Sequence, residues 1–134
     1  MSDSPDKLPQ EDDPRLERLE AAVEGQPRGG LILRLSPKRT ALQREKLRRL
    51  AHDLKPIVMV GRTGLSDGLL AALRRGLLDH ELIKVKLLDA APLSREAFAL
   101  WVHEATGADA VSWVGRTVVF YQRHPEKPKL HLPG

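Results

Sequence analysis

Two hydrophobic periods alternate along the chain. Leu47, Leu50, Ala51 and Leu54 recur at i, i+3, i+4 and i+7, the spacing of one buried helical face. Ser36 and Pro37 predict the start of this helix, as N-cap and first helical residue, and Pro56 predicts its end. Ile57-Val58-Met59-Val60 is wholly apolar and reads as a short strand covered on both faces. Behind a Ser66 cap, Leu69, Leu70, Leu73 and Leu77 predict a second helix, with Arg74 and Arg75 off its buried stripe. Period 2 returns over residues 82–88, where Ile83, Val85 and Leu87 share one face and Lys84 and Lys86 the other. Ser94 opens a third helix that carries Phe98, Trp101, Val102 and Ala105 on one stripe and stops near Thr106-Gly107. Residues 110–114 and 118–121 flank Gly115-Arg116-Thr117 and predict a hairpin.

The predicted order is α-β-α-β-α-β-β. It implies an α/β (α+β) two-layer fold, a mixed four-stranded sheet with helices packed on it. The two ends of the chain read differently. Residues 1–30 hold eight acidic and four basic side chains, four prolines and the breaker Gly29-Gly30. This composition predicts an acidic disordered tail, although Leu16, Leu19 and Val23 have helical spacing. Such a tail either solubilises the chain or competes with a polyanion for the basic domain. Residues 31–124 are expected to form the folded domain. Residues 125–134, rich in proline and lysine, read as a flexible C-terminal tail.

Charge sharpens the picture. The net +4 of the 134 residues is the sum of an acidic residue 1–30 segment, net −4, and a basic remainder, net +8. A basic domain points to a polyanionic partner. The absence of cysteine excludes disulfides, thiolate metal sites and a thiol nucleophile. No apolar run approaches the roughly 20 residues of a membrane span, and the polar N-terminus is unlike a signal peptide, so the expected location is cytoplasmic.

The candidate chemistry centres on Gly61-Arg62-Thr63-Gly64, between the apolar strand and the Ser66 helix. Glycines permit close backbone approach, and a helix start offers N–H groups and a positive dipole end. Arg62 adds a bidentate fork and Thr63 a hydroxyl, so the loop can cradle a phosphate or serve as a plain tight turn. The loop has neither the spacing nor the lysine of a nucleotide P-loop, and the dinucleotide fingerprint is missing. Val-Gly-Arg-Thr occurs twice, at 60–63 and 114–117, the second copy being a hairpin turn or a second phosphate contact through Arg116. The histidines at 52, 80, 103, 124 and 131 have no metal-ligand spacing, and no nucleophile elbow is present. A non-enzymatic protein without cofactor or metal is therefore expected. Trp113 and Tyr121 either stack on a base or pack in the sheet.

Several segments taken in order carry a resemblance. They are Leu35-Ser-Pro-Lys-Arg, residues 50–65 (Leu-Ala-His-Asp-Leu-Lys-Pro-Ile-Val-Met-Val-Gly-Arg-Thr-Gly-Leu), His80-Glu-Leu-Ile-Lys-Val-Lys-Leu, Ala105-Thr-Gly-Ala and Val114-Gly-Arg-Thr-Val-Val-Phe-Tyr. Together, over roughly residues 31–123, the chain closely resembles the CRM-domain family, in particular its stand-alone bacterial YhbY-like members. The resemblance implies helices on a mixed four-stranded sheet, similar to the C-terminal domain of the bacterial initiation factor that binds the small ribosomal subunit. It implies an RNA-binding protein. Bacterial members associate with precursors of the large ribosomal subunit, and plant organellar relatives take part in group II intron splicing. The family's RNA-contacting Gly-x-x-Gly loop, like that of KH domains, falls on Gly61 to Gly64, and its basic first helix on residues 38–49. The acidic extension before residue 31 and the short segment 89–94 depart from the family pattern.

The expectation is a monomeric protein that binds ribosomal RNA in large-subunit (pre-50S) assembly. Gly61, Arg62, Thr63 and Gly64 clamp phosphates, and Lys38, Arg39, Arg44, Arg48, Lys55, Lys84, Lys86 and Arg116 supply attraction and register. The alternative is a protein–protein interaction module on the ribosome or a translation factor.

Overall fold

The computed structural model describes residues 14–134; the expected acidic segment before Pro14 lies outside them. In chain order the elements are α1 (Pro14–Val23), α2 (Arg28–Leu35), α3 (Ala41–His52), β1 (Val58–Val60), α4 (Asp67–His80), β2 (Leu82–Leu87), α5 (Arg95–Thr106), β3 (Asp109–Val114) and β4 (Thr117–Tyr121). The strands form one mixed sheet in the order β1-β2-β4-β3, with β1 parallel to β2 and the other pairs antiparallel. From α3 onward this is the element order that the hydrophobic periods predict.

Over residues 14–30 the expected N-terminal tail is corrected. Residues Pro14–Val23 form the helix α1. Leu16, Leu19 and Val23 are buried, and α1 packs against α5. α2 follows and buries Leu31 and Leu35 against the same core. Helices of 10 and 8 residues are marginal alone, and burial of these stripes is what holds them.

The start of α3 also moves. Ser36 is buried at the C-cap of α2, its hydroxyl donating to the Ile32 carbonyl. Thr40 caps α3 instead, in a reciprocal box with Gln43. Ser66 and Ser94 cap α4 and α5, accepting from the N–H groups of Leu69 and Ala97. Gly107, at φ +79, ends α5 in the left-handed conformation that glycine adopts without strain.

Alternation along the strands builds a core on each side of the sheet. Val60, Ile83, Val85, Leu87, Val118 and Phe120 face α1, α2, α4 and α5. The opposite face packs Leu82, Val111, Val119 and Tyr121 against Leu47 and Ala51 of α3. α3 covers only part of that face. Leu50 and Leu54, expected on its buried stripe, are exposed. β1 is an edge strand rather than a covered central one, and Met59 is 60% exposed.

The C-terminal residues are not a loose tail either. Leu130 and Leu132 pack against the α3-side core. Glu81, buried at φ +62 beyond α4, accepts N–H bonds from His124, Lys129 and Leu130 at 2.6–2.8 Å. Burial alone would raise the Glu81 pKa. These three bonds and the nearby His124 outweigh it and hold the carboxyl below its ordinary value.

Candidate nucleic-acid interface

The partly covered sheet face presents side chains in register rows. Met59, Lys86, Thr117 and Val114 pair successively across all four strands, and Lys84, Val119 and Ser112 form the next row. The exposed flank of α3 stands beside these rows and contributes Arg48, Arg49 and His52. Helix and sheet together enclose a groove of about 630 Å³, with Ser112 and Thr117 supplying hydroxyls on its floor. Lys84 spans the two walls, its Nζ donating to the His52 carbonyl at 3.4 Å. Among the described residues, Arg48, Arg49, Lys84 and Lys86 have no carboxylate ion-pair partner. Four cations lining one groove without carboxylate partners among the described residues can attract an external polyanion.

The glycine turn lies at one end of the same sheet. Its Gly64 N–H donates to the Gly61 carbonyl at 3.0 Å, and Leu65 anchors the exit in the core. Gly64, at φ +66, requires glycine. Gly61 does not; a β-carbon there would make ordinary contact with Leu88 Cδ1 at 3.9 Å. Arg62 and Thr63 are exposed. The helix start adds less than its position promises, because Ser66 already occupies the Leu69 N–H and Asp67 places a carboxylate in the first turn.

Both Val-Gly-Arg-Thr copies stand at this end. Val60 pairs with Leu87, and the Leu87 N–H donates to the Arg116 carbonyl. They differ in what their arginines do. Arg62 is exposed, whereas Arg116 Nη2 donates to the carbonyls of Leu88 and Leu93 at 3.4 and 3.2 Å and ties the hairpin to the loop before α5.

Three of the expected RNA-facing arginines have internal partners. Besides Arg116, these are Arg39 and Arg44. Arg39 lies 3.1 Å from Asp109 and 5.3 Å from the centre of the Tyr121 ring, and its backbone carbonyl accepts from Arg44 Nη1. Burial pushes the Asp109 carboxyl up, and Arg39 offsets this only in part. Lys38 is exposed on the connection between α2 and α3, within electrostatic reach of Asp109 and away from the groove. Lys55 is exposed and lines an adjoining slot. Of the expected cations, Arg48, Lys84 and Lys86 meet in the groove, with Arg62 beyond its sheet end.

Arg49, the last residue of the basic stretch 38–49, and His52 join them. Their i, i+1, i+4 relation to Arg48 was the available signal, since it puts all three on one helical flank. Neither Trp113 nor Tyr121 is a stacking platform. Both are buried, Trp113 beneath the Arg95 guanidinium at 5.2 Å. Among the described residues there is no group of three or more side chains suited to a metal, and no helix long and apolar enough to cross a membrane.

Residues 40–122 match the family model described as the CRS1 / YhbY (CRM) domain. A probable RNA-binding protein of Pseudomonas aeruginosa is 38% identical over 93 residues, 69% of this chain and 88% of the relative. An RNA-binding protein of Haemophilus influenzae is 38% identical over 91 residues, 68% of this chain and 91% of the relative. The solution structure of a Staphylococcus aureus protein, described as a candidate RNA binder, is similar with a TM-score of 0.57 at 31% identity. That similarity covers 70% of this chain and 98% of the other. The family match begins at Thr40, the cap of α3, so α1 and α2 precede it.

Proposed function

The chain belongs to the CRS1 / YhbY (CRM) domain family, and from that premise we propose that it is an RNA-binding protein that holds ribosomal RNA during assembly of the large subunit. The observation that carries the RNA reading is the groove of Arg48, Arg49, Lys84 and Lys86, four cations without carboxylate partners among the described residues. Their ammonium and guanidinium groups grip phosphates, while the exposed Arg62 and Thr63 extend the contact beyond the sheet end. Phosphate contacts carry no sequence, so selectivity comes from the shape of a structured RNA. The family resemblance supports the choice of ribosomal RNA. The proposal needs no catalytic step, no cofactor and no second copy of the chain, and its setting is the cytoplasm.

Sedimentation of cell extracts tests the assignment. The protein is expected with precursors of the large subunit and is expected to leave them after RNase treatment. If it stays with a protein partner after the RNA is digested, it is an interaction module and the proposal is wrong.

A further inference from the structure

Beside the cationic groove, on the far side of Lys84, lies a second and differently built depression. It encloses about 340 Å³ and is walled by Leu50, Leu54, Ile57 and Leu130, with Lys55, His80 and Lys84 among its polar lining. Leu50, Leu54 and Ile57 are 41%, 39% and 40% exposed, an apolar surface left open next to a charged one. No acidic side chain lines the slot. Lys84 lines both depressions, so the two adjoin.

We propose that this slot takes the base of one unstacked nucleotide whose phosphates are held in the neighbouring groove. The inference rests on the RNA-binding reading and deepens it, because it fixes the form of the ligand as a single strand or bulge rather than a continuous duplex. Three features favour a nucleotide over a peptide. A nucleotide joins a flat apolar-faced base to an anionic backbone, and here an apolar slot shares Lys84 with a cationic groove. The slot is small for the face of a helix some 10–12 Å across. Its only ionisable groups are lysines and an imidazole, and His80 presents an aromatic ring of the kind on which unstacked bases rest. Base recognition of this kind is sequence-tolerant, since every base has a π-face. Leu130 comes from beyond the family-matched residues 40–122, so this wall is supplied by the C-terminal segment that Glu81 holds.

The test compares two probes of equal charge on the full chain: a 12-nucleotide single-stranded oligo(A), and the same ribose-phosphate chain without bases. Fluorescence anisotropy is expected to show the wild type binding oligo(A) about tenfold more tightly, the scale of one buried base. Leu50→Ser and Leu54→Ser alter exposed positions and leave the core intact. Each is expected to close that gap while affinity for the baseless chain stays unchanged. Methyl signals of Leu54 and Leu130 are expected to shift with oligo(A) and not with the baseless chain. Equal affinities in the wild type, or a gap that survives both substitutions, overturns the base slot while leaving phosphate binding intact; an apolar peptide ligand would give this result. Binding of neither probe, nor of any ribosomal RNA fragment, overturns the RNA-binding reading as well.

Discussion

The Glu20 carboxylate on α1 holds both hydrogen-bond donors of Ser94, accepting its backbone N–H at 2.7 Å and its hydroxyl at 2.6 Å. Ser94 in turn caps α5, its Oγ accepting the Ala97 N–H. A residue outside the family-matched segment thus completes the cap of a helix inside it, and places negative charge at the positive end of α5. Glu20→Ala is expected to lower stability by about 1–2 kcal/mol, and Leu19→Ala, at a fully buried position of the same helix, by about 2–5 kcal/mol. Urea denaturation measures both. RNA affinity of the folded variants should not change, since α1 and the cationic groove lie on opposite sides of the sheet.

The basic residues divide into two groups that respond oppositely. Arg39→Ala removes one side of the partly buried pair with Asp109 and is expected to cost about 2–3 kcal/mol of stability. Arg48→Ala and Lys86→Ala remove exposed charges and are expected to change stability by no more than about 0.5 kcal/mol while weakening RNA binding. Thermal melts and binding titrations on the same preparations separate the two. Loss of affinity without loss of stability in Arg39→Ala would refute this division.

In the glycine turn, only Gly64 has a left-handed conformation. Gly64→Ala is expected to cost about 1–2 kcal/mol, and Gly61→Ala within about 0.5 kcal/mol. Arg62→Ala leaves the fold unchanged and is expected to weaken unrelated RNAs by similar factors, because a phosphate contact reads no sequence. A loss confined to one RNA would show that Arg62 reads a base.

Glu81 gives the fold an acid-sensitive anchor. Its folded pKa lies below the ordinary value of 4.5, so its stabilising contribution is fully present above that value and is lost as pH falls through the folded pKa. Glu81→Gln should therefore be less stable than wild type at neutral pH, the difference narrowing as acidity passes below pH 4.5. Stability measured against pH for the two proteins checks the sign. Methyl signals of Leu130 and Leu132 should report release of the C-terminal segment in the variant.

The local features proved legible where a residue acts through its immediate neighbours. Ser66 and Ser94 cap, Gly107 stops α5, and the alternation of Ile83, Val85 and Leu87 with Lys84 and Lys86 sets the two faces of β2. The start of α3 was equally local, since Thr40-Ala-Leu-Gln43 spells a capping box, but Ser36-Pro37 offered a competing signal. What stayed hidden depends on distant partners. Leu16, Leu19 and Val23 become core only because α5 covers them. β1 reads as central from its apolar run, yet strand order puts it at the edge. The same limit governs the site. A basic helix circumference does not reveal that Arg48, Arg49 and His52 meet the sheet lysines while Arg39 and Arg44 turn inward.

Salt dependence tests the central claim most directly. The affinity of the full chain for a single-stranded fragment of large-subunit ribosomal RNA should fall linearly on a log–log plot against salt. The expected slope is about −0.7 for each phosphate contact, shallower in Arg48→Ala and Lys86→Ala by about one contact each. An affinity that stays flat from low to high salt, or a slope unchanged when those groove cations are removed, would contradict a groove built to hold an RNA backbone.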